Sequence, residues 1–253
     1  KTKTVPSVPC PADHQELLAF LENHPAPEHP ILIKKVIKTH QPKLAEGNKE
    51  RLGVFTGVLL QHVLFLANED YSTNIEEFKQ LQSSIISILK SMSEKYNQPL
   101  SEACREIISD IQSRFKSHQF YGLLPSDLVF FSLVGYIFST SDSYHLVVTP
   151  CGILIGEFLE QIKFNSFHKI IFGAILANIS LQYQRISKRY TPELTYFFKK
   201  SLATLLPLTE QEKNEKAMVN FKLDSYSVVL PKDCSVEEVT SPILNLHLLS
   251  DES

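Results

Sequence analysis

From Ile75 onward the apolar residues fall in steps of three and four: Ile75, Phe78, Leu81, Ile85, Ile88, Leu89, Met92. A second run repeats the spacing through Leu100, Cys104, Ile107, Ile108, Ile111 and Phe115. This spacing lines one face of an α-helix and scatters across both faces of a strand. Each run is therefore an amphipathic helix whose apolar face needs a neighbour. A chain that continues in this way is all-α.

The rest of the sequence does continue so. Residues 1–12, with Pro6, Pro9 and Pro11, read as an extended lead-in. A helix is expected from Asp13, with Glu16 at capping-box spacing and Leu17, Leu18 and Leu21 inward. Pro25, Pro27 and Pro30 end it and start another carrying Ile33, Val36 and Ile37, which Pro42 closes. A long helix follows from Asn48 to Asn68, entered through Gly47, and Asn74 with Glu77 forms a second capping box. Leu128 to Phe138 is apolar on nearly all sides, the pattern of a helix held between neighbours. Further helices are expected over 150–161 and 166–188, and one from Pro192 through Leu194, Phe197, Phe198, Leu202 and Leu205. Thr precedes Pro at 149–150 and at 191–192, where Thr caps and Pro takes the first helical position.

The expected fold class is all-α: a HEAT-like α-solenoid of antiparallel helix pairs with extended N- and C-terminal arms. A compact helical bundle fits the same pattern. The helical-repeat domain runs over 13–206, and 207–253 is a linker and acidic tail. From 217 the tail holds six Asp or Glu against two Lys, with one strand-like stretch from Tyr226 to Leu230. Such an arm gains structure by lying on a partner. The chain opens at Lys1 with neither Met nor a signal-peptide pattern, which reads as part of something longer.

Several chemistries find no support. The stretches 52–67 and 170–181 are apolar but read as core helices shorter than the roughly 20 residues of a span, so no membrane is expected. Four dispersed cysteines make neither a disulfide framework nor a zinc knuckle, and fit a reducing compartment. Cys10 with His14, or His24 with His29, lacks the second pair that a metal needs. Gly47, Asn48 and Lys49 hold one glycine and no following Ser or Thr, so they are no phosphate cradle, and no cofactor is implied. Ser141, Asp142 and His145 resemble a triad, but a triad converges from separate elements and these are neighbours on one turn. Their expected role, with Thr149 and Pro150, is structural: Ser141 or Asp142 caps a turn and His145 bonds a neighbouring loop. No catalytic residue is assigned and no enzyme is expected.

Charge is more informative locally than as the net −3. Residues 34–51 hold Lys34, Lys35, Lys38, Lys43, Lys49 and Arg51 against two Glu. Residues 185–200 hold Arg185, Lys188, Arg189, Lys199 and Lys200 against one. Both clusters sit near expected helix ends, where cations reach phosphates, and are the candidate RNA-binding residues.

Three ordered blocks resemble the nucleolar protein 14 family of eukaryotic ribosome-assembly factors. The first is the stretch from Pro42 to Lys49 (PKLAEGNK) followed by Leu52. The second is Gly135 with Phe138 to Asp142 (FSTSD), then His145 and Val148 to Pro150. The third runs from Ser187 to Leu194 (SKRYTPEL). Gln41, Ser139, Tyr144 and Leu146 depart from the residues common at those places and touch no chemistry. The resemblance implies a non-catalytic nucleolar scaffold of the small-subunit processome, which matures the small-subunit ribosomal RNA precursor with the U3 small nucleolar RNA. Implied partners are the nucleolar complex protein of the fourth series, the small-subunit pseudouridine methyltransferase, and pre-rRNA and U3 snoRNA, directly or indirectly. The rival readings are another helical-repeat adaptor, such as a nuclear transport receptor, and an all-α hydrolase around Asp142 and His145.

Overall fold

The computed structural model describes residues 8–69, 74–118, 123–140, 144–162 and 167–205. Nine α-helices and no strand occur among these residues. They are α1 (His14–Leu21), α2 (His29–Thr39), α3 (Asn48–Ala67), α4 (Ile75–Ser93), α5 (Asn97–His118), α6 (Pro125–Ile137), α7 (Val148–Gln161), α8 (Phe167–Ser187) and α9 (Pro192–Leu205), with a 3-10 turn at Ala26–Glu28 before α2. An all-helical chain agrees with the periodicity and is compatible with an α-solenoid. The expected tail strand and acidic arm lie outside the described residues.

The described residues divide into two compact units. The first takes in the chain up to Ile107 together with Pro125–Phe130. In it α3 packs against α1 and α4, and α2 against α4. Its core is Leu17, Ile33, Val36, Phe55, Leu59, Val63, Ile85, Leu89 and Leu100, all fully buried. Burying a side chain of this size contributes about 1.5–3 kcal/mol. Among the described residues one helix, α3, is long and apolar enough to cross a membrane by length and composition, because Asn48, Lys49, Glu50 and Arg51 extend it to 20 residues. It is the central core helix of this unit, with apolar residues buried along its length.

Local chemistry sets the helix starts. Asp13 Oδ1 accepts from Glu16 N at 2.9 Å, and Glu16 Oε2 accepts from Ala12 N at 2.7 Å. The box expected at α4 takes another form: Asn74 Nδ2 donates to Glu77 Oε2 at 3.0 Å, and no side chain caps the backbone. Gly47 enters α3 at φ 77°, a left-handed conformation that glycine adopts without a Cβ clash. Beside it Asn48 is buried; its Nδ2 donates to the Gln41 carbonyl at 3.1 Å, stapling the loop before α3. The Asn68 side chain accepts from Ser126 N at 3.0 Å and so satisfies a donor at the start of α6.

The second unit takes in the described residues within Ile108–Leu124 and those from Phe131 to Leu205. Here α7, α8 and α9 pack against one another. Phe131, Cys151, Phe158, Leu159, Ile162 and Leu176 are fully buried, and Phe115 meets Phe158 edge-on. The α9 face differs from expectation. Leu194, Phe197, Lys200, Ser201, Ala203 and Thr204 point inward, while Phe198 and Leu202 point outward.

Candidate nucleic-acid interface

The first basic cluster divides once it is folded. Lys34 and Lys38 lie four residues apart on α2 and so share a face. That face opens on a groove of about 540 Å³ whose far wall is α4. Lys95, just beyond α4, adds a third ammonium. Ser83, Ser84, Ser87 and Ser91 bring hydroxyls, and Ile37, Ile88 and Met92 supply apolar surface. All three lysines are exposed. The Ser87 hydroxyl donates to the Ser83 carbonyl at 3.0 Å. Ammonium groups beside polar hydroxyls and apolar surface suit a phosphodiester backbone: cations neutralise phosphates, and sugars or bases meet the apolar side chains.

The other members of that cluster do not line this groove. Lys35, Lys43 and Lys49 are exposed elsewhere on the same unit. The Arg51 guanidinium donates to Asn48 Oδ1 at 3.1 Å, which ties it to the loop staple. Lys95 and the serines were missing from the charge clusters. Their signal was present as Ser83, Ser87 and Ser91 at steps of four along α4, beside its apolar stripe.

The second cluster is less uniform than its composition. Arg185 and Lys199 are exposed. Lys188 is exposed and stands at φ 54°, a left-handed residue closing α8, with its N–H on the Gln184 carbonyl. Arg189 lines a second groove, in which Glu157, Glu160 and Glu193 also stand. Lys200 corrects the surface expectation: it is only 4 % exposed. Its ammonium donates to the Ile162 carbonyl at 3.3 Å and lies 5.9 Å from the Tyr196 ring centroid. Position 200 is one helical step from Phe197, so the inward face of α9 carries it into the unit, away from any phosphate.

The segment that resembled a triad begins a helix. His145 Nδ1 accepts from Val147 N at 3.1 Å and Val148 N at 3.2 Å. Thr149 Oγ1 accepts in return from His145 N at 2.9 Å. Helix α7 thus starts two residues before Pro150, and Thr149 lies inside its first turn instead of capping it. His145 bonds its own helix rather than a neighbouring loop, and its ring packs on Phe138 at 5.1 Å between centroids. Ser141 and Asp142 lie outside the described residues. At the second Thr-Pro pair α9 does begin at Pro192.

The histidines have partners of their own. His14 meets His62, and His24 lies 3.4 Å from Glu28. Among the described residues no group of three or more His, Cys, Asp or Glu is placed to hold a metal ion. Burial pushes the Cys104 thiol up to about 12 and raises that of Cys10, so neither is a ready nucleophile.

Residues 1–250 match the model of the Nop14-like family. "Probable nucleolar complex protein 14" of Kluyveromyces lactis is 60 % identical over 250 residues, which is 99 % of this chain and 29 % of that protein. "Nucleolar complex protein 14" of Saccharomyces cerevisiae is 52 % identical over 244 residues, 96 % of this chain and 30 % of that protein. "Nucleolar protein 14" of Homo sapiens is 26 % identical over 189 residues, 74 % and 22 % of the two chains. The chain spans less than a third of the length of these curated relatives.

Proposed function

Because the chain belongs to the Nop14-like family, we propose that it is a non-catalytic scaffold segment in ribosome assembly, working in the nucleolus and touching RNA phosphates through the groove between α2 and α4. The word nucleolar in the relatives' names supports the location. The finer reading is a helical-repeat domain over 13–206, with antiparallel pairs and extended arms, that serves the small-subunit processome. Its partners there are the nucleolar complex protein of the fourth series, the pseudouridine methyltransferase, pre-rRNA and U3 snoRNA.

One observation carries the RNA contact: Lys34, Lys38 and Lys95 converge on a hydroxyl-rich groove from two separate elements. A solvated helix face would leave its lysines on one helix over open water. Lys35, Lys43, Lys49, Arg185, Lys188, Arg189 and Lys199 are secondary contacts on this reading, placed to add long-range attraction.

The test is genetic. The endogenous relative is depleted and replaced by a full-length copy carrying Lys34→Glu, Lys38→Glu and Lys95→Glu at the equivalent positions. Northern blots should show unprocessed small-subunit rRNA precursors accumulating while the altered protein keeps its normal level. Normal precursor processing with the triple variant would sink the groove as the RNA contact. Normal processing on depletion alone would sink the assembly role.

A further inference from the structure

The Ser87 hydroxyl stands in the groove between α2 and α4 with its proton already committed. It donates to the Ser83 carbonyl one turn back, at 3.0 Å. A serine hydroxyl has one hydrogen and two lone pairs, so Ser87 Oγ has only acceptor capacity left to offer. Phosphate oxygens are acceptors too and gain nothing from it. The ligand group that fits this oxygen must donate.

The bond itself is common on exposed helix faces. Ser113 and Ser117 bond the carbonyls of Ser109 and Ser113 on α5 in the same way, and there it is an ordinary local contact. Ser87 differs in its surroundings. It is exposed, and Lys34, Lys38 and Lys95 line the same groove, two from α2 and one from just beyond α4. Half-buried Ile37 adds apolar surface beside them. An acceptor set among ammonium groups meets the part of a strand that lies between phosphates, and that part is the sugar. Ribose carries a 2′-hydroxyl that can donate, and deoxyribose has none.

On the reading of this groove as a phosphate site, we infer that it selects RNA over DNA through the ribose. A 2′-hydroxyl donates to Ser87 Oγ while Lys34, Lys38 and Lys95 hold the neighbouring phosphates. The lysines supply affinity without regard to the sugar, since both backbones carry the same charge. Ser87 supplies the discrimination, because deoxyribose leaves its oxygen without a donor from the strand. A base N–H is the other donor a strand can bring, and uracil is the same on either sugar.

The test uses the whole chain and fluorescein-labelled strands of one length: oligouridine, oligodeoxyuridine and 2′-fluoro oligouridine, titrated by anisotropy at one salt concentration. All carry the same base and the same phosphates, and only the first has a 2′ donor. Oligouridine should bind about fivefold more tightly than either of the others, the effect of one hydrogen bond. Ser87→Ala should bring oligouridine down to the level of the other strands. Ser87→Thr keeps the hydroxyl and should retain most of the preference. Both variants should keep the salt slope and the thermal midpoint of the unaltered chain. Equal affinity of the unaltered chain for oligouridine and the 2′-fluoro strand would overturn the ribose contact. A preference that survives Ser87→Ala would overturn the assignment of Ser87. In both of those cases Lys34→Ala with Lys38→Ala would still weaken all the strands alike, which leaves the phosphate site standing. Binding to no strand, or binding that the lysine pair does not change, would overturn the phosphate site and the ribose contact with it.

Discussion

His14 Nε2 lies 3.2 Å from His62 Nδ1, joining α1 to the middle of the core helix α3. One ring donates and the other accepts, so the pair holds a single proton between the two nitrogens. His62 is 2 % exposed, and its other nitrogen, Nε2, has no partner among the described residues. Burial, then the neighbouring His14 and His29, lower its pKa from 6.5 to about 4. Burial lowers that of His14 as well.

The pair makes folding pH-dependent, with a sign fixed by these shifts. Between pH 6.5 and 4 the unfolded chain binds a proton at His62 that the folded chain refuses. The stabilisation is therefore full above pH 6.5 and is lost as the pH falls through that window. For a shift of this size the loss is about 3 kcal/mol. Urea unfolding at a series of pH values checks it. His62→Gln should flatten the dependence between pH 6.5 and 4 relative to the unaltered chain, and an unchanged slope would refute the assignment.

Gly135 belongs to the family block that also holds Phe138 and His145, and the fold explains it through Tyr183. A Cβ at 135 would stand 2.7 Å from Tyr183 Cε1. The ring cannot swing away without cost, because its hydroxyl donates to the Phe131 carbonyl at 2.6 Å. Gly135→Ala should therefore destabilise by about 1–3 kcal/mol from overpacking, although alanine is the better helix former. Adding Tyr183→Ala should shrink that penalty in a double-mutant cycle, measured by chemical denaturation. Additive losses would place the strain elsewhere.

The two bonds from His145 Nδ1 to the α7 backbone set a third expectation. His145→Ala leaves two N–H groups without their acceptor and should cost about 1 kcal/mol, as for other lost helix caps. His145→Asn should recover most of the loss, since its carbonyl oxygen reaches the N–H two residues on. Thermal unfolding of the two variants decides between this and a role for the imidazole as such, for which asparagine would rescue nothing.

Periodicity carried the helices because each apolar stripe is local: α4 and α5 lie where steps of three and four place them. Starts set by nearby groups, such as Gly47 and Pro192, were legible for the same reason. The lysine–serine groove was not, since α2 and α4 meet only after α3 has been laid between them in sequence. His145 as the cap of its own helix was hidden because histidine rarely fills that place. Lys200 misled a count of charges. The periodicity of α9 contained the correction, since Leu194, Phe197, Lys200, Ser201 and Thr204 all fall on one helical face. The exposed Phe198 and Leu202 drew attention to the wrong side of that helix.

The groove lysines and Lys200 give a last prediction, because both are cations and only one kind can reach a phosphate. For single strands each phosphate contact contributes about 0.7 to the slope of log affinity against log salt. Lys34→Ala and Lys38→Ala together should lower that slope by about 0.7 for each lysine, and weaken binding at low salt most. Both lysines are exposed, so the thermal midpoint should hardly move. Lys200→Ala should do the reverse. It removes the donor to the buried Ile162 carbonyl and should cost about 1–3 kcal/mol of stability, with the salt slope intact. Titrating labelled oligouridine at several salt concentrations, with thermal melts of the same samples, separates the two outcomes. A changed slope in Lys200→Ala, or an unchanged one in the double variant, would move the RNA contact away from the α2–α4 groove.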